Sequence, residues 1–207
     1  MKFFILSCIL TILNTFIIIT MTDIALMGLP HLRLSKKCQV PRYLISRQNR
    51  IDLQNGLECS AYASAFLLRH FGMEASGAEL YQEITGRRGD GTVYPKGVQK
   101  LLAQHGLNAT YCTGSLNTLK NEVSKGYPVI VFIRVRPGEK WLHYVPVVGY
   151  DEEHIFLADS LKELAEDKNG SYNRKIAAAD FLKLWNTAML KMPLYRNTFF
   201  TVTTSGK

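Results

Sequence analysis

Gln54-Asn55-Gly56-Leu57-Glu58-Cys59-Ser60-Ala61-Tyr62-Ala63-Ser64-Ala65-Phe66-Leu67-Leu68-Arg69-His70-Phe71-Gly72 puts a single Cys at the mouth of a helix, with a Gln five residues upstream. Asn55-Gly56 is a turn signal. From Glu58 onward small and apolar residues recur at helical spacing, Ala61, Ala65 and Leu68 on one row and Tyr62 and Phe66 on another. Gly72 supplies the stop, so the pattern predicts a helix over about 58–70. Cys59 then falls in the first turn, where unpaired backbone N–H groups and the macrodipole favour an anion. The thiolate is the reactive form of a cysteine, and helix N-termini are among the places that favour it. Gln54 stands where its amide N–H would lie beside the sulfur, the position at which an oxyanion forms in acyl transfer. The bland alternative is that Cys59 is a small buried hydrophobe.

A cysteine nucleophile needs a base, and the base an orienting group. Of five histidines, His70 and His105 each end an expected helix, His31 lies in a polar stretch, and His154 follows the acidic turn Asp151-Glu152-Glu153. His143 differs. It opens the β-branched and aromatic run 143–150, and a second run, 154–159, follows the turn. A hairpin would set the start of the first strand against the end of the second, with His143 beside Asp159. Such an Asp fixes the imidazole tautomer and stabilises the imidazolium. An Asn would serve the same purpose by accepting the ring N–H. Asp151, at the other end of the first strand, is the next candidate for the third member.

The Gln54…Cys59 helix, Gly126-Tyr127-Pro128-Val129-Ile130-Val131, His143-Tyr144-Val145 and Leu157-Ala158-Asp159 come in the order and spacing of bacteriocin-processing, leader-cleaving cysteine peptidases. Over about residues 50–190 the chain resembles that papain-like family. The resemblance implies an α+β papain-like fold, with N-terminal helices packed on an antiparallel sheet. It also implies Cys59 as nucleophile, His143 as general base and acid, Asp159 as orienter and Gln54 as oxyanion donor, with no cofactor and no metal. The chain departs from the family in having Glu58-Cys59-Ser60 for the usual Asp-Cys-Gly and Asp159-Ser160 for the usual Asp-Pro. The triad is untouched by these differences.

The expected activity is hydrolysis of peptide bonds in a peptide or protein substrate. The same triad would also serve a cell-wall amide hydrolase or an acyltransferase, and a non-catalytic peptide-binding domain would keep the same fold. The formal net charge of +8 comes from scattered basic residues, with Arg87-Arg88 and Lys36-Lys37 as adjacent pairs, so no nucleic-acid patch is expected. A general attraction to anionic lipid or wall polymer fits the charge better.

Residues Phe3–Met21 carry no charge over 19 positions, enough as a helix to approach the thickness of a bilayer's hydrocarbon core. Residues 1–21 therefore read as a signal or transmembrane anchor, with the catalytic domain expected outside the cytoplasm. Residues 22–50 read as a connecting segment and 51–207 as the peptidase domain. Further helices are expected at about 77–84, 96–105, 115–125 and 178–187. Strands are expected at about 108–112, 128–135 and 197–203. The loop Gly86-Arg87-Arg88-Gly89-Asp90-Gly91 reads first as a solvated turn, and second as a rim of the substrate cleft. Cys38 and Cys112 are left either to pair or to remain buried thiols.

Overall fold

A computed structural model describes residues 2–166, 170–189, 192 and 194–204. The ends of the expected segments at residues 1 and 205–207 lie outside the described residues. Helix α1 spans Lys2–Met27. Two-residue strands follow, β1 (His31–Leu32) and β2 (Tyr43–Leu44). Next come α2 (Cys59–His70), α3 (Gly77–Glu83), α4 (Pro95–Gln104), β3 (Leu107–Thr113) and α5 (Leu116–Val123). Strands β4 (Val129–Arg134), β5 (Leu142–Tyr150), β6 (His154–Leu157) and β7 (Arg174–Ala177) complete most of the sheet, and α6 (Ala178–Trp185) and β8 (Thr198–Thr204) end the described chain.

The sheet order is β1-β3-β8-β4-β5-β6-β7, with β2 paired to β5. Among the described residues, every strand pairing but one is antiparallel. The exception is β1 on β3, which is parallel and lies at the edge. The N-terminal stretch is therefore more than a connection, because both of its short strands join the sheet. Helices α2, α3 and α4 follow one another ahead of β3, as expected of N-terminal helices packed on the sheet, and α5 and α6 are interleaved with the later strands.

Period-two alternation on β4 organises the core. Ile130 and Phe132 face a cluster that includes Ala61, Ala65 and Leu68 of α2, Leu80 of α3 and Leu101 of α4. Val129, Val131 and Ile133 face Leu119 and Val123 of α5 and Phe181, Leu184 and Trp185 of α6. With the sheet on one side and α3 and α4 on others, α2 is buried from Ser60 through Leu68. That explains why its small residues run all round the helix instead of forming one stripe. Gly77 lets α3 press against α2, since a Cβ there would stand 2.5 Å from the ring carbons of Tyr62.

The expected hairpin forms. β5 and β6 pair antiparallel, with Val147 opposite Leu157 and an irregularity between Val147 and Gly149. The turn is tied by Asp151, whose carboxylate accepts from the Glu153 and His154 amides. After Leu157 the chain leaves the ladder, and this departure carries Asp159 inward.

Candidate active site

Cys59 is the first residue of α2, half-buried, with Glu58 as an N-cap that makes no side-chain capping bond. His143 lies on β5 opposite Ile133 of β4, and it is almost fully buried. Its Nε2 lies 2.9 Å from Asp159 Oδ1. The Cys59 side chain acts on the same ring, favouring its charged form. The structure thus brings together Cys59, His143 and Asp159. Asp151 instead faces His154 and Lys175, and His105 pairs with Glu83.

Burial of the ring opposes its charge, but the Asp159 carboxylate and the hydrogen bonds to Asp159 and Cys59 outweigh it and raise the His143 pKa above its usual value. Burial likewise works against the charge of Asp159. The His143 charge and hydrogen bond, the Leu161 amide and Arg174 prevail, and hold its carboxyl well below the ordinary range.

Two residues that sequence reasoning missed complete the surroundings of Asp159. The buried guanidinium of Arg174 on β7 donates to Asp159 Oδ2 at 2.8 Å. Asn173 clamps the Asp159 backbone, accepting its N–H at 2.7 Å and donating to its carbonyl at 2.7 Å. The only sequence signal for either was a short polar-charged run before Ile176, which carries no strand pattern of its own.

Gln54 is held on both sides. Its backbone N–H donates to the Ser160 carbonyl at 2.9 Å. Its Oε1 accepts from Ser160 Oγ at 2.5 Å, and its Nε2 donates to the Gly56 carbonyl. A carbonyl only accepts, so the amide must present nitrogen to Gly56 and oxygen to Ser160. One amide N–H is spent on Gly56, and Nε2 carries a second.

Cys59, His143 and Gln54 line one cavity of about 740 Å³. Arg88 and Asp90 also line it, so the loop at 86–91 borders the cleft, in contrast to the expected plain solvated turn. It is held there by Tyr81, whose hydroxyl donates to Gly91 O at 2.8 Å, and by stacking of Arg88 over Tyr94. The four cysteines are unpaired. Cys112 is buried, and Cys38 contacts the Tyr150 hydroxyl at 3.2 Å.

The sequence profile of a family described as Peptidase_C39 like matches residues 44–189. None of the curated proteins matches the chain. Among solved structures, a C39-like peptidase from Bacillus anthracis is 20% identical with a TM-score of 0.60, covering 80% of this chain and 99% of its own. The peptidase domain of Streptococcus ComA, a bi-functional ABC transporter involved in quorum sensing, is 15% identical with a TM-score of 0.56. That match covers 74% of this chain and 96% of the domain. The Carica candamarcensis cysteine protease CMS1MS2, solved in complex with E-64, is 12% identical with a TM-score of 0.57, covering 81% and 100%. At these identities the structural matches establish the fold, which is papain-like α+β.

Proposed function

As this chain belongs to the C39-like peptidase family, whose fold is that of papain-like cysteine peptidases, we propose that it hydrolyses peptide bonds through Cys59, His143, Asp159 and Gln54. The observation that carries this reading is His143, shared between the thiol at the start of α2 and the buried Asp159 carboxylate. The ring nitrogen facing Cys59 takes the thiol proton, giving a thiolate and an imidazolium. The thiolate attacks the substrate carbonyl carbon. The Cys59 backbone N–H and the second N–H of Gln54 Nε2 receive the oxyanion. His143 then returns its proton to the departing amine, and an acyl-enzyme forms on sulfur. Water, deprotonated by the now neutral imidazole, releases the acid and restores the thiol. Asp159 stays ionised throughout and holds the ring tautomer.

The same proposal reads α1 as a membrane anchor. Phe3–Met27 is a helix of 25 residues whose most apolar stretch has mean hydropathy 2.4, none of that stretch being buried by the domain. Labelling of the native full chain with an iodoacetamide or epoxide probe, followed by mass spectrometry, tests the site. Cys59 is expected to react faster than Cys38 or Cys112 near neutral pH. Equal labelling of the three thiols would refute the assignment.

A further inference from the structure

The end of α1 belongs to the cleft. Met27, in the last turn of the apolar helix, is 3% exposed and lines the same cavity as Cys59 and His143. The helix end is fastened to the domain from two sides. Lys96 Nζ, at the start of α4, donates to the Ala25 carbonyl at 2.5 Å, and the Tyr195 hydroxyl donates to the Gly28 carbonyl at 3.0 Å. Three residues later β1 is already paired in the sheet. No flexible linker therefore separates the apolar helix from the cleft.

This attachment fixes a height. Twenty-five residues at about 1.5 Å each give a helix of about 37 Å, against a hydrocarbon core of about 30 Å. If the span begins at Phe3, the remaining ~7 Å carries Met27 about as far as the headgroup layer is deep. Leu29, just past the helix, and Trp141, which lines the cavity, are both more than half exposed. Trp141 suits that layer, where tryptophan concentrates.

From this we infer that the cleft works at the membrane surface, on polypeptides tethered in the same bilayer and cut within a few residues of it. The inference rests on the peptidase reading and on α1 as a span. An extended chain advances about 3.3 Å per residue, so a scissile bond about five residues from its tether stands about 17 Å above the hydrocarbon edge, within reach of a cavity that begins about 7 Å above it. A catalytic domain on a flexible stalk would show no such preference for short spacers.

The test uses the full chain in phosphatidylcholine vesicles. A cleavable sequence is first taken from the products of its digestion of denatured casein. That sequence is then offered as a free peptide and on a transmembrane peptide anchor with spacers of 5, 10 and 20 residues. The expected result is a kcat/KM for the 5-residue spacer at least about 10-fold above the free peptide, since tethering raises effective concentration. Cleavage of the free peptide as fast as the tethered ones would overturn the inference. So would cutting at 20 residues with sparing at 5, or a full-length chain that fractionates as soluble without losing α1. Failure to cut casein or any peptide would instead overturn the peptidase reading beneath it.

Discussion

Ser160→Ala tests how the proposed oxyanion donor is aimed. The hydroxyl donates to Gln54 Oε1 at 2.5 Å in a buried setting, and Gly56 takes one N–H on the other side of the amide. Removing the hydroxyl leaves Oε1 unsatisfied, at a cost of about 1–3 kcal/mol, and frees the amide to rotate. The ceiling on the kinetic effect is the full loss of a donor, about 10²–10³-fold in kcat. At about 1.4 kcal/mol per decade, a hydrogen bond worth about 1 kcal/mol sets a floor near 5-fold. The expected loss is therefore about 5- to 30-fold in kcat with KM nearly unchanged, because the oxyanion exists only beyond the ground state. The assay is steady-state hydrolysis of a fluorogenic peptide by wild type, Ser160→Ala, Gln54→Ala and the double variant. If Ser160 acts through Gln54, Ser160→Ala costs nothing further once Gln54 is gone. Ser160→Thr, which keeps a hydroxyl, should recover most of the rate. Independent, additive losses would refute the reasoning.

Asp159→Asn should be less benign than the sequence suggests. An Asn oxygen serves His143, but its amide nitrogen then meets Arg174, donor against donor. With the buried guanidinium uncompensated, stability should fall by about 3–5 kcal/mol, read as a lower urea midpoint. A wild-type midpoint would refute this, and pairing the change with Arg174→Met should recover part of the loss. pH dependence follows from the two shifted groups. The depressed pKa of Asp159 gives stability that is present above about pH 3.9 and fades as pH falls below it. The raised pKa of His143 gives stability that is full below about pH 6.5 and fades as pH climbs through the folded value. Calorimetry should find the highest melting temperature between these limits, and His143→Gln should lack the alkaline decline. Ser60→Ala should stabilise the fold by about 1 kcal/mol in chemical denaturation, because the Ser60 hydroxyl is buried with no hydrogen-bond partner among the described residues. A lower midpoint would show a partner in solution.

What was legible in the sequence had a period. The helix from Cys59 to His70 and the strands from Leu142 and His154 announce themselves by spacing and by β-branched runs, and the turn between those strands is set by Asp151. The contact of His143 with Asp159 followed from hairpin logic even though the ladder ends at Leu157, two residues short of Asp159. Strands β1 and β2 were not legible, since two residues cannot show an alternation. Their place comes from tertiary pairing with β3 and β5. β7 reads Arg-Lys-Ile-Ala, and its register on β6 alone brings Arg174 to the carboxylate. Ser160 was visible as a departure from the family's proline. Its use was not, because it depends on Gln54, 106 positions away.

Arg174 gives the site a further property. In the working state proposed above, four groups stand in a row with alternating sign: thiolate, imidazolium, carboxylate, guanidinium. The charges sum to zero, so the low-dielectric interior carries a multipole and no net ion, which is far cheaper to hold dry. Without Arg174 the row would sum to minus one. Neutral alkylation of the sulfur subtracts a negative end and leaves plus one buried. Ligands that keep a negative atom at the sulfur position, or bring an anion beside the imidazolium, restore the sum.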